Sequence, residues 1–317
     1  MVDYGFKIKL NKFFNQIFDN QIMKYLDSSK NIENVPRESI IFLEAANKSI
    51  NNSIDLINKD EYVDSLCLLR SGFEAILFSL AIYFDEETYN VYKHYNSDFY
   101  RKLTKNKNNS SNKKIQEIDK KNKDLLSPGI IRSKVAEHYK EVYSELFYSC
   151  ENVGEVKEEL REFYAYLCNF THPSIVKAYT FKLQNDNENL VNIRTVFKLN
   201  INYCKLLLLL ALNYFTTRDD MSDIYDLYAI LFLTDVNLIT DVDKFNELLK
   251  KYDEYLYLNI TRDYFKRNDK KIKTIQKEIK EISEIKNLNE IFPKIMNDVV
   301  EKFDATELLK EYFQIKS

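Results

Sequence analysis

A histidine near the end of an apolar helical pattern is the first group with the type and position for acid–base chemistry. His172 lies in the stretch YLCNFTHPS (166–174), where the pattern stops at Pro173 because the residue before a proline avoids the helical conformation. Asn169 is three residues earlier, so both side chains lie on one face of the predicted helix. An imidazole exchanges protons near neutral pH, but a histidine at a helix C-terminus is also stabilised by the helix dipole. The stretch therefore predicts either a reactive histidine or a capping one.

An arginine and a glutamate one helical turn apart form the second group. Arg70 and Glu74 lie on a stripe of the segment 60–84 that is otherwise apolar. Charges on such a face are costly unless they are paired. The pair is therefore either an internal brace or part of a site in which the guanidinium stabilises a phosphate or a developing negative charge. Gly72 between them costs about 1 kcal/mol of helix stability relative to alanine, which predicts a closely packed neighbouring helix.

These two groups form one site only if separate helices bring them together. In that hypothesis His172 donates or accepts a proton and Arg70 stabilises the phosphate, while Glu74 orients Arg70 and Asn169 positions the substrate. Arg161 lies on the same predicted face as His172 but three turns earlier, about 16 Å away at the rise of an α-helix. Arg161 is therefore excluded from direct contact with the group that His172 would touch.

Helices are the elements that must position these groups. Of the 317 residues 45% are apolar, and only four are glycine and four proline, which is too few turn residues for a sheet or a barrel. Apolar residues at three- and four-residue steps predict an amphipathic N-terminal helix. The residues on its predicted apolar face are Leu10, Phe13, Phe14, Ile17 and Met23. Further helices are predicted at about 36–58, 60–84, 130–150, 154–171, 190–216 and 221–240. We predict an all-α fold in which the nearly all-apolar helix 60–84 is central.

Two polar parts of the chain interrupt or follow this core. Residues 100–128 are rich in lysine and asparagine and are predicted to form a basic insertion. From about residue 241 the chain becomes more polar, and isoleucines at alternating three- and four-residue steps in 261–287 predict a helical arm that packs on a neighbouring helix. The predicted organisation is a helical bundle over 1–218 followed by a C-terminal helical extension over 219–317.

The composition argues against several classes of function. The net charge of -3 gives no overall attraction to nucleic acid or acidic lipid, so such a contact would need a local patch. The four cysteines form no CxxC pair and are expected to be free thiols in a reducing cytosol. The most apolar run, 204–215, is too short to span a bilayer, and the N-terminus has no signal-peptide pattern. No phosphate-binding loop, dinucleotide fingerprint, zinc-protease motif or serine-hydrolase motif occurs. We expect a cytoplasmic protein with no membrane segment, metal or cofactor.

Two segments of the chain together resemble an uncharacterised bacterial all-helical family. They are LLRSGFEAILFSL (68–80), with Arg-Ser-x-x-Glu, and YLCNFTHPS, in which a second helix ends in His-Pro-Ser. The segment 134–150 is similar to the tyrosine-rich helix of that family. The family is distantly similar to HEPN domains, bundles of four or five helices that often dimerise. The resemblance covers about residues 35–215 and implies an HEPN-like bundle.

The same resemblance implies a role in RNA chemistry. Many HEPN domains are metal-independent ribonucleases of toxin–antitoxin and phage-defence systems, so the implied partners are RNA, a second copy of the chain and an antitoxin or other protein. His172 matches the histidine of the HEPN nuclease motif, and Asn169 suits the polar residue often found before it. The positions of the motif's arginine hold Ala165, Tyr166 and Leu167, so Arg70 would have to substitute. The alternative interpretation is a non-catalytic helical module that binds a partner protein or a nucleotide.

Overall fold

The computed structural model describes residues 4–30, 32–94, 120, 124–138, 152–173, 177–178, 190–216, 223–224, 227–228, 231 and 299–313. All regular elements in these ranges are α-helices, which confirms the predicted all-α fold. In chain order they are α1 (Tyr4–Ser29), α2 (Arg37–Asn58), α3 (Tyr62–Phe84), α4 (Glu86–His94), α5 (Pro128–Glu137), α6 (Val153–Thr171), α7 (Leu190–Thr216) and α8 (Thr306–Phe313).

The sequence prediction matches α2, α3, α6 and α7 closely but missed α4. Helix α2 begins directly after Pro36, as predicted. The start of α4 is typical of a helix N-terminus, because Asp85 precedes two glutamates and its Oδ2 accepts a hydrogen bond from the Thr88 N–H at 2.6 Å. Most of the predicted basic insertion, the helical arm at 261–287 and most of the predicted helix 221–240 lie outside the described residues.

Helix α3 is central, as its apolar sequence predicted. It packs against α2, α4, α5, α6 and α7. By length and composition alone it could also cross a membrane, and 61% of its most apolar window is buried inside the protein. The neighbours of α3 therefore cover the apolar surface that its all-round pattern requires to be buried.

Helices α2 and α3 pack closely because small residues face each other. Ser53 and Ser65 exchange hydrogen bonds, each hydroxyl donating to the other's carbonyl oxygen at 2.9 and 2.8 Å. Ser39 and Ser79 make the same exchange at 3.1 and 2.8 Å. A Cβ added to Gly72 would lie 3.2 Å from Ile50 Cγ1 and 3.3 Å from the Ala46 carbonyl oxygen. This confirms that a closely packed neighbouring helix accounts for Gly72.

A Gly72→Val variant is expected to lower the free energy of unfolding by about 2–3 kcal/mol, because its side chain would press on the backbone of α2. The matched control is Ser71→Val, which introduces the same side chain at the adjacent, exposed position and is expected to change stability by less than about 0.5 kcal/mol. Denaturant unfolding of both variants measures the difference. Equal stability of the two variants would show that the α2–α3 contact tolerates a side chain at position 72.

The N-terminal helix α1 covers part of the core, and its buried face differs from the predicted apolar face at one residue. Phe13, Phe14 and Ile17 are buried as predicted, but Met23 is 49% exposed. The buried stripe instead continues through Phe18, Ile22 and Leu26. These lie four residues apart, a spacing that keeps side chains on one helix face.

Helix α7 supplies the apolar run predicted to form a buried helix. Leu206, Leu207, Leu208, Leu209, Leu210 and Leu212 are all buried. Lys205, within this run, has a side chain that is only 2% exposed and forms an ion pair with Asp19 of α1. The pair compensates the cost of placing an ammonium group inside the core.

Described pieces of the C-terminal part belong to the same core. Ile224, Leu227 and Leu231 are buried with the bundle residues, as are Val299 and Val300. In α8, the rings of Tyr312 and Phe313 meet Phe13 edge to face, with centroids 6.2 and 5.7 Å apart. The end of the described chain is therefore held against α1 by aromatic packing.

Candidate functional site

Arg70 connects the central helix to α6 through a fixed guanidinium. Its Nε donates to Glu74 Oε1 at 3.0 Å, one turn along α3. Its Nη1 donates to Thr171 Oγ1 at 2.7 Å, and its Nη2 donates to the Tyr164 hydroxyl at 2.9 Å. Thr171 Oγ1 in turn donates to the Cys168 carbonyl oxygen at 3.0 Å. The guanidinium is therefore fixed by partners on two helices.

The predicted pairing of Arg70 with Glu74 is present, but the pair is not sealed in the core. The Arg70 and Glu74 side chains are 20% and 38% exposed. Burial alone would lower the pKa of Arg70, but the charge and hydrogen bond of Glu74, together with Cys168 and Tyr164, outweigh burial and the pKa is raised. The pair is thus a charged group at the edge of the core, where a ligand can approach it.

The face of α6 that meets Arg70 differs from the face predicted to carry the site. Tyr164, Cys168 and Thr171 lie at steps of four and three, so they form one stripe toward α3. Asn169 is rotated by about 140° from Tyr164 around the helix axis, so it lies on another side of α6. Its side chain is half-buried. The structure therefore does not bring Asn169 to the Arg70 guanidinium.

His172 follows this stripe directly and is exposed. It is the C-cap of α6, with an extended backbone (φ -103°, ψ 156°), and its N–H donates to the Cys168 carbonyl oxygen at 3.2 Å. Its Cα is about 3.8 Å from the Cα of Thr171, which binds Arg70. His172 is thus the next residue along the chain after a hydrogen-bond partner of Arg70, and its side chain is open to solvent.

Arg161, excluded from the site by the sequence argument, lies elsewhere on α6. It is exposed and forms an ion pair with Glu158 one turn earlier. Exposed pairs of this kind contribute little to stability. A lysine substitution at Arg161, which keeps the charge, is therefore a suitable control for the same substitution at Arg70.

A second arginine that the sequence analysis did not single out completes the group. Arg132 of α5 places its guanidinium carbon 4.3 Å from the centroid of the Tyr164 ring, and the corresponding carbon of Arg70 is 5.0 Å from the same centroid. We call Arg70, Glu74, Arg132, Tyr164 and Thr171 the arginine–tyrosine cluster. It lies where α3, α5 and α6 meet.

Burial controls the protonation of the other polar groups around this cluster. Burial, followed by the charge of Glu74, raises the pKa of Tyr164, so its hydroxyl stays protonated at neutral pH. Burial also raises the pKa of the Cys67 thiol, and its Sγ donates to the Phe170 carbonyl oxygen at 3.3 Å. Neither group is therefore activated as an anion.

The described residues contain neither a disulfide nor a cluster of metal ligands. Cys67, Cys168 and Cys204 are free thiols, and Cys204 is buried. Among the described residues, no three His, Cys, Asp or Glu side chains lie together as ligands of one ion would.

The fold and the cluster define an all-α helical protein with a half-buried, positively charged group at its surface. Comparisons of the chain with family models, with curated proteins and with solved structures found no match in any of the three.

Proposed function

We propose that this chain is a metal-independent endoribonuclease of the HEPN-like type, acting as a homodimer in bacterial stress or phage defence. The observation that carries the proposal is the contact between Arg70 and Thr171, because it holds a guanidinium beside the residue that precedes the exposed His172. The resemblance of the two motif segments to HEPN-related proteins supports the same activity. The biological setting and the dimer rest on that resemblance.

The residues of this site offer the groups that cleavage at a ribose 2′-hydroxyl needs. His172 accepts the proton of the 2′-hydroxyl, whose oxygen attacks the adjacent phosphorus while the bond to the leaving 5′-oxygen breaks. The leaving oxygen takes a proton from the imidazolium or from water, which balances the step. Arg70 stabilises the charge on the non-bridging oxygens, since a guanidinium has more N–H groups than its three observed bonds use. Glu74 orients Arg70.

The test is cleavage of a defined oligoribonucleotide by the wild-type protein in excess EDTA. We expect products that end in a 2′,3′-cyclic phosphate and begin with a 5′-hydroxyl, separated by gel and confirmed by mass. The matched substrate carries a 2′-O-methyl group at the cleaved position and is expected to remain intact. Cleavage of the methylated substrate at the same position, or no cleavage of either substrate, would contradict the proposed reaction.

The second candidate function is a non-catalytic module that binds a partner protein or a nucleotide. One observation favours it: the motif positions that carry arginine in HEPN nucleases hold Ala165, Tyr166 and Leu167, and Leu167 is fully buried. None of these side chains supplies a cation. Binding of a nucleotide or of a partner protein, without RNA cleavage under the same conditions, would identify the chain as this kind of module.

A further inference from the structure

Arg132 differs from Arg70, the other arginine of the site, because no acidic side chain in the described part of the chain forms an ion pair with it. Glu74, the carboxylate of the arginine–tyrosine cluster, is paired with Arg70. The Nη1 atom of Arg132 is buried and, within the described part of the chain, has no hydrogen-bond partner. Among the described residues, two guanidiniums therefore share one tyrosine ring with a single carboxylate, which leaves an excess positive charge there.

The position of Arg132 on its helix adds to this positive charge. Its Nη2 lies close to Gly129, since a Cβ built there would be 3.9 Å away. Gly129 is in the first turn of α5, which begins at Pro128, and the N-terminal turn of a helix carries a partial positive charge. The guanidinium thus lies over the end of α5 that favours anions.

The surroundings of Arg132 disfavour an unpaired cation but do not remove its charge. Burial lowers the pKa of Arg132, and the charge of Arg161 acts in the same direction. An arginine nevertheless stays protonated at neutral pH. A buried donor without an acceptor and a cation without a counter-ion are both relieved by one bound anion.

We propose that Arg132 is a phosphate-binding residue and that the arginine–tyrosine cluster holds a phosphate group between α3, α5 and α6. Arginine suits this ligand because its planar N–H groups bind two phosphate oxygens at once. The ring of Tyr164 supports the guanidinium from one face and so limits its movement. The assignment of this phosphate to RNA rests on the proposed function, whereas the phosphate site itself does not.

The test measures binding to a probe that cannot be cleaved. A fluorescein-labelled 2′-O-methyl oligoribonucleotide is titrated with wild type, Arg132→Gln and the control Arg37→Gln, and Kd is obtained from fluorescence anisotropy. Arg37 is the exposed first residue of α2. We expect Arg132→Gln to raise Kd about ten- to a hundredfold and to reduce the slope of log K against log salt by about one. Arg37→Gln removes the same charge from an exposed position on α2, which is not part of the cluster, and is expected to change Kd by less than about twofold.

A second ligand and a second variant separate the alternatives. A fluorescently labelled ADP is titrated in the same way as a second probe, and an effect of Arg132→Gln confined to ADP keeps the phosphate site and assigns it to a nucleotide. Arg132→Lys keeps the charge but loses the planar geometry that binds two phosphate oxygens. Its Kd is expected to lie between those of wild type and Arg132→Gln, and this variant keeps the test valid if the glutamine variant folds poorly. An equal rise in Kd for Arg132→Gln and Arg37→Gln, or no binding of either probe by wild type, would overturn the proposal. Because the RNA probe resists cleavage, this result is independent of whether the protein is a nuclease.

Discussion

Replacing His172 by alanine is expected to lower kcat/KM for RNA cleavage in EDTA by about 10²- to 10⁴-fold, the contribution typical of a general acid or base. The side chain is exposed and follows the last turn of α6, so its removal costs no packing. The free energy of unfolding is therefore expected to change by less than about 0.5 kcal/mol. Rates are measured with a defined oligoribonucleotide, and stability by denaturant unfolding.

The control for this prediction is His138, a histidine with a structural contact. Its ring stacks on Phe84, with centroids 4.1 Å apart and planes inclined by 2°. His138→Ala is expected to lose stability by about 1 kcal/mol while the folded fraction keeps its cleavage rate. An active His172→Ala protein, or an equal loss of rate in both variants, would remove His172 from the chemistry.

An Arg70→Lys variant is expected to lower kcat/KM about 10²- to 10³-fold, because the stabilising guanidinium is lost although the charge remains. A lysine ammonium cannot reproduce the planar set of bonds to Glu74, Tyr164 and Thr171. The same loss is expected to lower the free energy of unfolding by about 1–2 kcal/mol. Cleavage kinetics and denaturant unfolding, measured on one preparation of the variant, separate the loss of catalysis from the loss of stability.

Arg161→Lys is the matched control for Arg70→Lys. The same substitution is made at an exposed arginine of α6 that contacts Glu158. It is expected to leave both rate and stability within the error of wild type, since exposed pairs contribute little. Stability lost at position 70 without any loss of rate would define Arg70 as an internal brace, which is the structural interpretation of its pairing with Glu74.

Much of the helical framework could be predicted from sequence because its signals are local. The apolar pattern of α3 predicted a central helix, and the sparse glycine and proline content predicted an all-α fold. Gly72 predicted a close helix contact, since a residue that weakens a helix needs a compensating reason. The Arg70–Glu74 pair was also predictable, because spacing of four residues fixes both side chains on one face.

The contacts between helices could not be predicted in the same way. Sequence spacing gave one candidate stripe on α6, with Asn169 and His172, but the rotation of α6 against α3 decides which stripe meets Arg70. The structure selects the stripe with Tyr164 and Thr171, and Asn169 lies on another side. Arg132 was missed because no local pattern distinguishes it from a surface arginine. Its position on Tyr164 depends entirely on how α5 packs against α6.

The central claim is that Arg70 and His172 serve one phosphodiester cleavage, and a double-mutant cycle measures it directly. Single-turnover cleavage rates in EDTA are compared for wild type, Arg70→Lys, His172→Ala and the double variant. Residues that act as a unit lose catalysis together, so the double variant is expected to be about as slow as the slower single variant. If the rate reductions of the two single variants multiply in the double variant, the two residues act independently and the shared site is contradicted. A wild-type protein that leaves RNA intact would contradict it as well.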